Sequence, residues 1–243
     1  MTGPPGAPDG QATSGIRVVT RETVRSARYA TMGASPERAR RVWFALHGYG
    51  QLAERFLRPF AGIVPDDTMV VAPEGLSRFY LEMPNVDGSH LLRVGATWMT
   101  REGRELDIAD TTRWLDVVYQ DVMAPSLERG QPAACGLLGF SQGVATASRW
   151  VAEGAIQPSS FVAWAGTLAS DVQHERFASK LAGCSVTLVT GDDDRFVTPA
   201  LHDAALRGIR GYHADDREIR FAGEHALDTG VLTMLLNELP THD

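Results

Sequence analysis

Five short, uninterrupted apolar runs, separated by helix-patterned segments, constrain the fold of this sequence more than any other feature. They are Val42-Trp43-Phe44-Ala45-Leu46, Met69-Val70-Val71-Ala72, Ala134 to Phe140, Phe161-Val162-Ala163-Trp164 and Val186-Thr187-Leu188-Val189. A strand with one wet face alternates apolar and polar residues. A strand that is apolar throughout must be covered on both faces, as in a parallel sheet. The intervening segments carry helical spacing: Leu52, Phe56, Phe60 and Ile63 share a face, as do Ile108, Leu115, Val118 and Val122. Thr198-Pro199 reads as an N-cap followed by proline at the first helical position, and Val231, Leu232, Leu235 and Leu236 form a last apolar stripe. Strand and helix alternating at short intervals predict a doubly wound, mostly parallel α/β sheet.

The 243 residues suit one such domain. Residues 1–15, rich in Gly, Pro, Ser and Thr, read as a disordered tail, leaving 16–243 for the fold. From Ile16 to Met32 apolar and polar residues alternate, which predicts an antiparallel hairpin at the sheet edge. Residues 73–107 have weak periodicity for their length. They read either as a long functional connection or as short elements hidden from pattern analysis.

The formal charge of −7 disfavours nucleic acid and anionic membrane surfaces as partners. No stretch approaches the ~18 apolar residues of a spanning helix, and the N-terminus lacks the apolar core of a signal peptide. The expected location is therefore cytoplasmic. The two cysteines, Cys135 and Cys184, lie beside or within apolar runs without ligand spacing and read as buried free thiols. No metal or cofactor is expected.

Gly139-Phe140-Ser141-Gln142-Gly143 matches GxSxG. In this motif a serine sits on a tight strand-to-helix turn, and glycines on either side let neighbouring backbone pass. With 24 glycines in the chain, a chance match arises on the order of once in ten such sequences, so context decides. The apolar run at 135–138 precedes the motif, and Val144, Ala147 and Val151 follow at helical spacing. Ser141 is the candidate nucleophile. Acyl transfer places negative charge on a carbonyl oxygen, which two backbone N–H groups normally receive. One would come from Gln142. The other would come from Tyr49 in the loop Leu46-His47-Gly48-Tyr49-Gly50 after the first central strand. His47 is read as orienting this loop rather than carrying a proton.

A serine hydroxyl needs a base, and in this arrangement the chain order is serine, acid, histidine. His225 follows the strand-like Glu218-Ile219-Arg220-Phe221 and precedes the last helix. His202 falls inside a helix, His213 at the wrong end of the strand, His174 before any acid, and His242 in the terminal tail. The acid should follow the strand at 186–189, where Asp192, Asp193 and Asp194 stand together. Asp194 is preferred, and only one of the three should face the histidine.

The chain resembles the phospholipase/carboxylesterase family of α/β-hydrolases, which includes bacterial carboxylesterases and acyl-protein thioesterases. LHGYG at 46–50, GFSQG at 139–143, TGDDDRFVTP at 190–199 and FAGEH at 221–225 carry the resemblance. It implies a serine esterase acting on small-molecule esters without a cofactor. About 20 residues separate Trp164 from the next strand, too few for a large helical cap, so an open cleft for short or medium acyl chains is expected. The same triad would also serve a thioesterase or acyltransferase. The resemblance places the acid at Asp194 by its distance from Gly191. Arg195-Phe196-Val197-Thr198 replaces a Pro-Val-Val-Pro-like run of the relatives, and Glu224 replaces the glycine before the histidine. Trp98 resembles a tryptophan of the loop near their active site, either a wall of the acyl pocket or part of the core.

Overall fold

The computed structural model describes residues 16–84, 90–210 and 216–240; the expected tail at 1–15 lies outside them. The elements in chain order are β1 (Tyr29–Gly33), β2 (Arg41–Leu46), α1 (Ala53–Phe56), β3 (Thr68–Pro73), β4 (Ser77–Pro84) and β5 (His90–Thr97), then α2 (Arg104–Glu128), β6 (Ala134–Phe140), α3 (Gln142–Glu153) and β7 (Ser160–Trp164). They are followed by α4 (His174–Lys180), β8 (Ser185–Gly191), α5 (Pro199–Arg210), β9 (Asp216–Phe221) and α6 (Thr229–Glu238). Among the described residues the main sheet has seven strands in the order β1-β3-β2-β6-β7-β8-β9. All neighbours are parallel except β1, which runs antiparallel to β3.

The apolar runs are strands because both faces of the sheet are covered. Along β2, Val42, Phe44 and Leu46 enter one core with Leu115 and Val118 of α2, Val144 and Ala147 of α3, and Ala205 of α5. The alternate residues Trp43 and Ala45 enter a second core with Phe56 of α1 and Leu232, Leu235 and Leu236 of α6. The period of two thus divides one strand between two apolar layers, so no polar position is left in it after Arg41 at its start. Thr198 Oγ1 accepts the Leu201 N–H at 3.3 Å and Pro199 begins α5, as the sequence pattern predicts. Asp228 Oδ1 caps α6 by accepting the Val231 N–H at 2.8 Å.

Three expectations change. The edge hairpin at 16–32 is replaced by the single strand β1; residues 16–28 run outside regular structure and are largely exposed. Alternation there reflects which side chains could share a face, but only Tyr29–Gly33 finds a partner strand. The helical face at 52–63 shortens to α1 and a 3-10 turn at Arg58–Phe60, because Pro59 lacks the N–H that continues a helix. The weakly patterned stretch at 73–107 holds β4 and β5, a separate antiparallel pair in register from Ser77 against Thr97 to Pro84 against His90. Both cysteines are buried and unpaired. No helix of the described residues is long and apolar enough to cross a membrane.

Candidate active site

Leu46 at the end of β2 pairs with Gly139 of β6, so the loop after β2 and the turn after β6 leave the sheet side by side. Strand order reverses here, with β3 on one side of β2 and β6 on the other. Open α/β sheets form their crevices beyond the carboxyl ends of strands at such points.

Ser141 makes the turn from β6 into α3 with φ 53° and ψ −117°. A residue bearing a side chain pays roughly 1–3 kcal/mol for such a conformation. Packing prevents the turn from relaxing. A Cβ on Gly143 would stand 2.2 Å from the Leu46 carbonyl oxygen, and one on Gly139 would stand 2.6 Å from the Gly143 oxygen. The Ser141 N–H donates to the Trp164 carbonyl at 2.8 Å, tying the turn to β7. The serine is thereby held at the N-terminus of the 12-residue helix α3, where the helix dipole favours negative charge.

The β2 loop runs against this turn: a Cβ on Gly48 would lie 3.2 Å from Ser141 Cβ. Its amides are committed one by one. The Gly48 N–H donates to Gln51 Oε1 at 2.7 Å, that of Gly50 to the Ala96 carbonyl at 2.8 Å and that of Gln51 to the Gly48 carbonyl at 3.3 Å. Tyr49 alone among them keeps an N–H without an acceptor among the described residues. The Gln142 N–H opens α3, where no carbonyl of an earlier turn can take it. These are the two amides expected to hold an oxyanion. The side chain of Gln142 faces away from that task and donates from Nε2 to Thr97 Oγ1 at 2.9 Å, clamping the end of β5 to α3.

The loops that carry Asp194 and His225 are joined before their side chains meet. Gly191 pairs with Phe221, and the N–H groups of Asp192 and Asp193 donate to the carbonyls of Phe221 and Gly223, each at 2.9 Å. The Trp164 indole holds the histidine loop from below, donating to the Ala226 carbonyl at 2.9 Å. His225 Nδ1 then meets Asp194 Oδ2 at 2.7 Å, with the carboxylate fully buried and the imidazole 18% exposed. The other carboxylate oxygen, Oδ1, accepts the N–H groups of Phe196 at 2.8 Å and Val197 at 3.0 Å. A carboxylate on Nδ1 selects the tautomer that protonates this nitrogen and leaves Nε2 free as a base. The other two aspartates look elsewhere: Asp192 pairs with Arg220 at 2.8 Å and Asp193 is exposed. The imidazole reaches the serine turn through Phe140, with ring centroids 4.9 Å apart. Among the described residues the Ser141 hydroxyl makes no hydrogen bond; contacts of this kind tighten when substrate binds.

His47 is fully buried between two backbone partners. Nδ1 donates to the Gly48 carbonyl at 2.8 Å, and Nε2 accepts the Gly75 N–H at 3.0 Å. Burial pushes its pKa down from 6.5 to about 4, against the opposing pull of the Gly48 carbonyl and the Glu74 carboxylate. It is neutral at pH 7 and serves the loop. The unfolded chain binds this proton near pH 6.5 and the folded chain only near 4, so stability falls as pH drops through that window, by up to about 3 kcal/mol. Urea unfolding at pH 7 and 4.5 is expected to show the loss, and His47→Gln to remove most of it. An equal loss in both proteins would refute this account.

Trp98 lies behind the same loop. It is 2% exposed, stacks on His47 with centroids 4.5 Å apart, and donates from its indole nitrogen to the His47 carbonyl at 2.7 Å. Glu74 escaped the sequence reading altogether. Its side chain is 3% exposed and pairs with Arg28 at 2.8 Å, and it accepts the Ala53 N–H at 3.2 Å, fixing the segment after the β2 loop. A single glutamate after a strand carries no pattern that announces burial. Of the histidines set aside, His202 sits in α5 bonded to Glu218 at 2.9 Å, while His213 and His242 lie outside the described residues.

Comparison with known proteins gives no match of the sequence to any family model and none to any curated protein. Solved structures do match. A phospholipase/carboxylesterase from Dyadobacter fermentans is 16% identical and covers 90% of this chain and 98% of its own, with a TM-score of 0.61. Acyl-protein thioesterase 2 of Zea mays is 14% identical over 87% of this chain and 97% of its own, with a TM-score of 0.62. A Bacillus cereus carboxylesterase is 16% identical over 87% and 92%, with a TM-score of 0.60. The chain has the α/β-hydrolase fold.

Proposed function

We propose that this protein is a serine hydrolase that cleaves carboxylic esters of short or medium acyl chain through an acyl-enzyme on Ser141. The observation that carries the reading is the buried Asp194 carboxylate bonded to His225 Nδ1 at 2.7 Å, which leaves Nε2 free as a base on an imidazole packed against Phe140, the residue before Ser141. Ser141 Oγ attacks the ester carbonyl carbon while its proton passes to His225 Nε2. The N–H groups of Tyr49 and Gln142 hold the oxyanion. The tetrahedral species collapses, the carbon–oxygen bond to the alcohol breaks, and His225 returns the proton to the leaving oxygen. Water then repeats the sequence on the acyl-enzyme, releasing the acid and freeing Ser141. The substrates are small molecules, reached from solvent without a large cap: only the short α4 lies between β7 and β8.

The fold's relatives include an acyl-protein thioesterase, and one acyl-enzyme serves esters and thioesters alike. Matched oxygen esters and thioesters of increasing acyl length, with fluorophosphonate labelling in parallel, test the reading. Labelling is expected on wild type and not on Ser141→Ala, together with faster turnover of the short and medium oxygen esters. Absence of labelling refutes a serine hydrolase, and exclusive turnover of thioesters refutes the ester preference.

A further inference from the structure

Among the described residues two aromatic rings pack against the His225 imidazole, and they differ in one respect. Phe140, with centroids 4.9 Å away, is a core residue only 4% exposed. Phe196, at 4.8 Å and tilted by 54°, is 72% exposed. A ring that shields the imidazole would do so equally well as an aliphatic side chain. One that leaves most of its face in water beside a base has apolar surface available to something else. Its position is also fixed in advance. The Phe196 N–H donates to Asp194 Oδ1 at 2.8 Å, so the carboxylate that orients His225 also anchors the backbone of Phe196. No rearrangement is needed to bring this ring to the base.

In the mechanism above, His225 gives its proton to the departing alcohol, so the leaving group must lie against this imidazole. We propose that Phe196 is a specificity-determining residue that receives an aromatic ring on the leaving alcohol, making esters of aromatic alcohols the preferred substrates. The inference rests on the serine-hydrolase reading and adds the substrate class. Aromatic pairs gain offset or edge-to-face interactions beyond the area they bury, whereas a saturated ring of the same size gains the area alone. That difference corresponds to a preference of about five-fold.

The test compares benzyl butyrate with cyclohexylmethyl butyrate, whose alcohols are similar in size and in leaving ability. Wild type is expected to favour the benzyl ester by about five-fold in kcat/KM. Phe196→Val should bring the ratio close to one, and Phe196→Tyr, which keeps the aromatic face, should restore it. A ratio that survives Phe196→Val, or an equal loss on both esters, overturns the proposal, since a merely shielding ring would affect both alike. Fluorophosphonate labelling of Ser141 without turnover of the benzyl ester overturns it too. If neither ester is cleaved and Ser141 is not labelled, the hydrolase reading itself falls.

Discussion

Ser141→Gly is expected to abolish hydrolysis and at the same time to make the protein harder to unfold. Loss of activity follows from loss of the nucleophile; in serine hydrolases this costs about 10⁶ in kcat, with a residue of catalysis from the oxyanion site and binding. The gain in stability follows from backbone geometry. Ser141 holds φ 53° and ψ −117°, a combination that a β-carbon crowds and that glycine adopts freely at the first central position of a type II′ turn. The surroundings leave no milder conformation, since Gly139, Gly143 and the Trp164 carbonyl close around the turn. Removing the β-carbon releases about 1–3 kcal/mol of strain, less the added chain entropy of glycine in the unfolded state. Ser141→Ala, equally inactive, keeps the β-carbon and most of the strain. Chemical denaturation of the three proteins should therefore rank glycine above alanine and wild type. Equal stability of the glycine and alanine variants would mean that the turn stores no strain in its β-carbon.

The features legible in the sequence share a physical origin. The runs at 42–46, 69–72, 134–140, 161–164 and 186–189 stand out because strands covered on both faces are apolar almost throughout, with Thr187 the one polar side chain in them, and all five are strands of the main sheet. The chemistry-bearing loops then follow from topology, since each leaves the carboxyl end of one of these strands or of β9. Ser141, Asp194 and His225 could be singled out as candidates because short motifs mark the strand ends. What stayed hidden lies where burial does not reach. The β4–β5 pair stands apart from the main sheet, and Tyr80, Leu92 and Val94 are exposed on it, so apolar and polar residues mix without a clear period. The expected hairpin at 16–32 failed for the complementary reason. Alternation records a capacity to form a strand, not a pairing: β1 is the edge strand of the sheet, and residues 16–28 do not add to its open side. Glu74 and Phe196 show a further limit. A buried carboxylate and an exposed phenylalanine are each the reverse of what residue type alone predicts.

Asp194→Asn is the second large effect expected, and it separates two tasks that one carboxylate performs. Oδ2 orients His225 through a bond of 2.7 Å; Oδ1 accepts the N–H groups of Phe196 and Val197 at 2.8 and 3.0 Å. The amide can keep its oxygen toward the two backbone donors, so the loop retains its bonds. Its NH₂ group must then face His225 Nδ1, which can no longer donate and becomes an acceptor. The proton moves to Nε2, where the base is needed, and kcat should fall by about 10⁴ with the fold preserved. Asp194→Ala removes the acceptor for both backbone N–H groups as well. Water can replace the lost acceptor at these exposed and half-buried donors, so each broken bond costs about 0.5–1.5 kcal/mol and this variant should lose some stability in addition to activity. Measuring kcat and denaturation midpoints for both variants distinguishes the two tasks. If Asp194→Asn retains more than about a tenth of wild-type kcat, far above the loss that the wrong tautomer should cause, then Asp194 does not govern the protonation of His225.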